Sequence, residues 1–138
     1  MLIIGGGIVG CETALYLAQD SDRGVSIVES ERNLASDMFV TARLVIFKLL
    51  SEANVKIITE VNVLEITDGG APIKDRNNKK NSLLADTIVV VVGFLSDDKG
   101  LVRALRDQVP EIYSIGDCVT PRKVINAVWE GFHTARMI

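Results

Sequence analysis

Histidine, tryptophan and cysteine are almost absent from this chain: one His, one Trp and two Cys occur among 138 residues. The lone His133 falls on a helix near the chain end, where a surface or packing role outweighs proton transfer. Cys11 and Cys118 form neither a CxxC redox pair nor a zinc-ligand spacing, so no metal site is expected. One disulfide between them is formally possible, but a reduced, intracellular pair is the expectation. Aromatic residues are only 5% of the chain, which leaves an aliphatic core of Val, Ile, Leu and Ala. Long apolar runs are missing too. Thr87 to Leu95 is far short of the roughly 20 residues a bilayer span requires, and Met1 to Ile4 carries no charged leader before Gly5. These absences predict a cytoplasmic protein with no membrane partner. The net charge is −3 with Lys and Arg scattered, which excludes a basic nucleic-acid-binding face.

What is present alternates between strands and helices. Leu2 to Ile4 is a short apolar strand stopped by Gly5-Gly6-Gly7. Ile8 to Ala18 follows as a helix with Ile8, Cys11, Leu15 and Leu17 on its apolar side. Ser21, Asp22 and Gly24 make a turn, and Val25 to Val28 a second strand closed by Glu29. A second helix starts at Asp37 or Thr41 and runs to about Ala53, with Leu44, Phe47, Leu49 and Leu50 facing inward. Asn54 tolerates the left-handed geometry of a helix end, and Val55 to Thr59 is the third strand. Short strands at Val61 to Thr67, Ala71 to Lys74 and Ser82 to Ala85, parted by turn-forming Asp68-Gly69-Gly70 and Asn77 to Lys80, predict an antiparallel meander. Thr87 to Val92 is continuously apolar, the pattern of a strand covered on both faces by helices. Beyond Gly93 a polar connection leads to a short helix at Leu101 to Leu105, a strand at Glu111 to Ile115, and a closing helix from Pro121 to Ile138. Trp129 is expected to pack. The length suits one compact domain with a real core, not two full ones.

Gly5-Gly6-Gly7-Ile8-Val9-Gly10 satisfies GxGxxG through Gly5, Gly7 and Gly10. Gly5 allows the tight turn off the strand, Gly7 lets a pyrophosphate approach the backbone, and Gly10 allows close packing of helix on sheet. Phosphates would meet the free N–H groups and positive dipole end of the helix. By itself the pattern is weak. Here it follows a strand, opens a helix, and is answered by Glu29 at the end of the next strand. That spacing lets a carboxylate accept hydrogen bonds from the adenosine ribose. Ser30, beside it, joins the candidate binding residues. A carboxylate there repels the 2′-phosphate of NADP, so NADH is expected over NADPH; Arg32 complicates that argument and Glu31 partly cancels it.

The stretch from Gly5 to Ala14 resembles the second nucleotide-binding motif of the pyridine nucleotide–disulfide oxidoreductase superfamily, whose NAD(P)H motif typically carries a Glu two places after the last glycine, as Glu12 does. By that resemblance Glu12 lies near the nicotinamide end of the cofactor. The plain alternative is an acid well placed in the first helical turn, and both stay open. Glu111 to Cys118, with Pro121-Arg122-Lys123 and Ala127 to Phe132, resembles the end of the superfamily's FAD domain. There the Asp of Gly116-Asp117 would bond the ribityl chain of FAD, and Arg122 could approach the flavin. The narrower likeness is to enzymes related to 2,4-dienoyl-CoA reductase, 2-enoate reductase and other NADH:flavin oxidoreductases.

The resemblance implies an α/β, Rossmann-like FAD/NAD(P)-binding three-layer fold with a central parallel sheet, helices and an antiparallel meander. A C-terminal strand–helix remnant of an FAD domain would follow. Residues 1–95 would form the NAD(P)H-binding domain and 101–138 the FAD-domain portion, with Gly93 where the chain passes between them. Two departures stand out: no Pro follows Gly93, and the earlier FAD fingerprint, FMN barrel and iron–sulfur cysteines of such enzymes are absent. The expectation is therefore an excised segment of a flavin-dependent oxidoreductase, inactive by itself and binding FAD weakly or not at all. Its missing partners would be the FAD and barrel domains. An uncovered last helix predicts self-association through residues 101–138. The alternative is a stand-alone nucleotide-sensing module without turnover.

Overall fold

The computed structural model describes residues 1–19, 24–36, 38–97 and 99–138, with backbone alone at Lys99. The turn expected at Ser21 and Asp22, and the helix start considered at Asp37, lie outside the described residues. The chain divides into two compact units, Met1–Val92 and Gly93–Ile138.

In the first unit the order is β1 (Leu2–Ile4), α1 (Ile8–Ala18), β2 (Ser26–Val28), α2 (Val40–Glu52), β3 (Lys56–Ile58), β4 (Val61–Val63), β5 (Gly70–Asp75), β6 (Lys80–Leu84) and β7 (Ile88–Val90). β1, β2, β3 and β7 make a four-stranded parallel sheet in the order β3-β2-β1-β7, with Ile3 opposite both Ile27 and Val89. β4-β5-β6 is a separate antiparallel meander.

Alternation along the short strands decides the layers. Ile3 and Ile27 point to one face, where they pack with Cys11 and Ala14 of α1 and Ile46 and Leu50 of α2. Leu2 and Val28 point to the other, where they meet Val61, Ala71 and Ile73 of the meander. The sheet is thus covered by helices on one face and by the meander on the other. β7 was expected under helices on both faces; instead Val89 and Val91 pack on the helix side, Ile88 on the meander side, and Val90 is left exposed. An apolar run reports that a strand is covered but not by what.

α2 departs from the expected inward set. Ile46 and Leu50 are its buried residues and Phe47 packs partly against the core, while Leu44 is 62% and Leu49 43% exposed. At about 100° per residue, Leu44 lies roughly 160° round the helix from Ile46, and Leu49 falls on the rim. α1 buries Gly10, Cys11 and Ala14, with Leu15 and Leu17 partly covered. After α2, Asn54 takes φ +53, the left-handed helix end expected of it.

The second unit contains α3 (Lys99–Leu105), a 3-10 turn (Gly116–Cys118) and α4 (Val124–Ala135). α3 begins inside the connection read as polar loop. The strand expected at Glu111 to Ile115 does not form: a strand needs a neighbour to take its N–H and C=O groups, and the segment pairs with no strand among the described residues. α4 is shorter than expected at both ends. His133 packs its ring against Trp129 (5.4 Å) and Phe132 (5.6 Å) on α4, yet Trp129 remains largely exposed. Among the described residues no helix is long and apolar enough to cross a membrane.

Candidate functional site

The glycine turn connects the C-terminal end of β1 to the N-terminus of α1, at the carboxyl edge of the parallel sheet. Gly5 has φ +109, and a Cβ there would overlap the Val91 carbonyl across the β1–β7 pair. A Cβ on Gly10 would overlap the Gly5 carbonyl, so α1 lies directly on the turn that precedes it. Gly7 is different: nothing stands within 4 Å of where its Cβ would be. Gly7 caps α1 in extended conformation (φ −66, ψ −178) and no side chain caps the helix. The first turn of α1, with Ile8 and Val9 at its start, therefore presents its N–H groups and the positive end of the helix dipole beside the open space at Gly7.

Glu29 follows β2 and reaches back to this turn. Its Oε2 accepts the Gly6 N–H at 2.6 Å, and its Oε1 accepts the Glu31 N–H at 2.8 Å and the Ser30 hydroxyl at 2.9 Å. Partial burial by itself would raise its pKa. The hydrogen bonds from Glu31, Gly6 and Ser30 together outweigh that burial, and the carboxyl lies below its ordinary value. Glu29 is thus an ionised group built into the turn rather than a solvated strand end. Ser30 is exposed, its hydroxyl turned to Glu29, and Glu12 is exposed on α1.

Two residues near the turn carried no sequence signal. Leu34 and Ala35 are 2% and 1% exposed and belong to the helix-side core. The Ala35 N–H donates to the Gly6 carbonyl at 2.7 Å, and the Leu34 side chain closes over Gly6. Ala35 does this at φ +49, a conformation that nothing in an alanine announces.

The C-terminal candidates lie in the second unit, as does Gly93, which is exposed with φ +86. Gly116 is buried; its N–H donates to Glu130 Oε2 at 2.6 Å, and Arg122 pairs with the same carboxylate. Asp117 is exposed and its Oδ1 accepts the Arg122 N–H at 3.2 Å. Glu130, part of the C-terminal stretch but without a role of its own in the sequence, therefore ties α4 to the Gly116-Asp117 turn. The glycine turn and Glu29 come together within the first unit, and Gly116, Asp117 and Glu130 come together within the second.

Residues 1–131 match the family model described as pyridine nucleotide-disulphide oxidoreductase. The chain belongs to this family. NADH oxidase of Thermoanaerobacter brockii is 32% identical over 138 residues, covering all of this chain and 21% of the relative. Bilirubin reductase of Mediterraneibacter gnavus (strain CC55_001C) is 34% identical over 142 residues, again covering the whole chain and 21% of the relative. Among solved structures, 2-naphthoyl-CoA reductase in complex with 2-naphthoyl-CoA superposes with a TM-score of 0.74 at 32% identity, over 95% of this chain and 20% of that one. Histamine dehydrogenase from Rhizobium sp. 4-9 reaches a TM-score of 0.79 over 99% of this chain and 23% of that one, at 18% identity, a likeness of fold. The chain spans about a fifth of the length of the curated relatives it matches.

Proposed function

We propose that this chain is the nicotinamide-dinucleotide-binding portion of a flavin-dependent oxidoreductase, with residues 1–95 binding NADH and residues 101–138 completing an FAD domain. One observation carries the reading. The uncapped start of α1 faces open space at Gly7, while Gly5 and Gly10 leave no room for a side chain. That combination suits a pyrophosphate bound on backbone N–H groups. The donor set fits the cofactor: N–H groups for the phosphates and an ionised Glu29 for the ribose hydroxyls. When bound, the reduced nicotinamide supplies a hydride that a flavin can accept.

The protein's part is to orient. Glu29 fixes the adenosine end, the α1 terminus holds the two phosphates, and Glu12 lies one turn further along the helix. Negative charge at Glu29 supports NADH over NADPH, since a 2′-phosphate would approach a carboxylate that burial does not neutralise. Asp117 is the candidate ligand for the ribityl chain of FAD, and the isolated chain is expected to bind FAD weakly or not at all. The reducible substrate lies with the remainder of such an enzyme.

Calorimetric titration is the test. NADH is expected to bind with a Kd on the order of 10–100 μM, a range typical of enzyme ligands, and NADPH at least about tenfold more weakly. Absence of heat with either nucleotide sinks the reading; equal affinities sink only the NADH preference.

The same reading carries self-association through residues 101–138. Val124, Ile125, Val128 and Phe132 form an exposed apolar side on α4, the kind of contiguous patch that marks an interaction surface. Sedimentation of the chain is expected to show dimers or larger species, returning to monomer on Val128→Asp with Phe132→Asp. A clean monomer before substitution removes this part of the proposal.

A further inference from the structure

Gly6 is held through both of its backbone polar groups by the segment that follows β2. Its N–H donates to Glu29 Oε2 at 2.6 Å, and its C=O accepts the Ala35 N–H at 2.7 Å. Leu34 lies against Gly6, close enough that a Cβ on Gly6 would stand 2.9 Å from Leu34 Cγ. Ala35 is anchored in turn, for its own carbonyl accepts the Met38 N–H at 3.0 Å just before α2 begins. Its left-handed backbone (φ +49) is unusual for alanine and is kept in a site 1% exposed. Strain of this kind persists only where the surroundings over-determine it. Here it aims one N–H at the peptide immediately before Gly7, the residue whose carbonyl accepts the first α1 hydrogen bond, from Cys11 N–H at 3.0 Å.

We propose that Leu34 and Ala35 are positioning residues for the glycine turn: the Ala35 N–H on the Gly6 carbonyl and the Glu29 carboxylate on the Gly6 N–H clamp the two peptides that flank Gly6, so that the α1 N-terminus is set for a pyrophosphate before any nucleotide arrives. The proposal rests on reading the turn as the pyrophosphate site. It assigns a role to Leu34 and Ala35, two core residues outside the fingerprint. Preorganisation of this kind strengthens binding by removing the ordering cost from the binding step. It also ties the two halves of the site together. The carboxylate offered to the ribose also holds, at the Gly6 N–H, the turn offered to the phosphates.

The test compares Ala35→Gly and Ala35→Val in the full chain, using NADH calorimetry and amide hydrogen exchange at Gly6 and Gly7. Glycine adopts positive φ without strain and keeps the N–H, so A35G is expected to bind NADH within about twofold of the parent chain. A β-branched residue resists positive φ. A35V is expected to lose roughly tenfold in affinity through misplacement of the turn. Its Gly6 and Gly7 amides should exchange roughly tenfold faster, while those of β5 and β6 do not change. If A35V does not fold, Leu34→Val takes its place, with the same direction and roughly a threefold loss. A folded variant with unchanged Gly6 exchange, or with exchange raised equally throughout, overturns the clamp. If the parent chain fails to bind NADH, the cofactor reading fails, and Gly6 exchange in the free protein still decides whether the clamp exists.

Discussion

Gly10→Ala is expected to cost the first unit about 3 kcal/mol or more and to lower its melting temperature by roughly 10–20 °C. The methyl group would overlap the Gly5 carbonyl, a backbone atom with nowhere to move, because Gly5 is itself pressed against the Val91 carbonyl. Relief requires α1 to lift from β1, and that opens the helix-side core where Cys11 and Ala14 meet Ile3 and Ile27. Against a typical total stability of about 5–15 kcal/mol, such a loss approaches unfolding. Gly7→Ala is the control. Its backbone is in ordinary extended geometry and a methyl there meets nothing, so the melting temperature should move by no more than a few degrees, within the few tenths to about 1 kcal/mol of an N-cap change. Yet that methyl would occupy the space assigned to the pyrophosphate, and NADH affinity should fall at least roughly tenfold. Thermal denaturation and calorimetry on the pair separate fold from site. Equal melting temperatures for the two variants would refute the packing argument, and unaltered NADH binding by Gly7→Ala would refute the phosphate site.

Glu29→Gln is expected to weaken NADH binding at least roughly tenfold and to erase most of the preference over NADPH. The amide keeps the shape but not the acceptor pattern. The carboxylate receives two backbone N–H groups and a hydroxyl on its two oxygens. Whichever way the amide is turned, its NH2 faces either the Gly6 or the Glu31 N–H. Leaving one donor unpaired costs about 1 kcal/mol, at the low end of the usual range because water reaches the site. The variant also changes the acid limb of stability. Glu29 has a folded pKa below its unfolded one, so its contribution is present above the ordinary glutamate titration near pH 4.3. That contribution is lost as pH falls through the lower folded value. Chemical denaturation from pH 7 down to pH 3 should therefore show a smaller decline for Glu29→Gln than for the parent chain. Parallel declines would mean that the carboxylate contributes nothing to folding.

The glycine turn was legible because its physics is local. Three glycines at fixed offsets, a strand before and a helix after, leave few other structures that would require them. The meander was legible for a related reason: its turns carry Gly, Asp and Asn at the points where the chain must reverse. The helix faces were less so. Leu44, Leu49 and Leu50 are equally apolar, and only the orientation of α2 over Ile3 and Ile27 separates the buried Leu50 from the exposed pair. Glu111 to Ile115 reads as a strand by composition but finds no strand partner among the described residues, since strand pairing is a property of two segments and composition describes one.

By itself the sequence determined the order of strands and helices in the first unit, the dinucleotide-type turn from Gly5 to Gly10 and the acid that answers it, since each depends on neighbours along the chain. Tertiary structure alone decided which layer covers each face of the sheet. It also decided that Glu29 bonds Gly6 before it could bond a ribose, and that Ala35 completes the grip from a left-handed conformation. Those are contacts between segments distant in sequence, formed by packing that no single segment encodes.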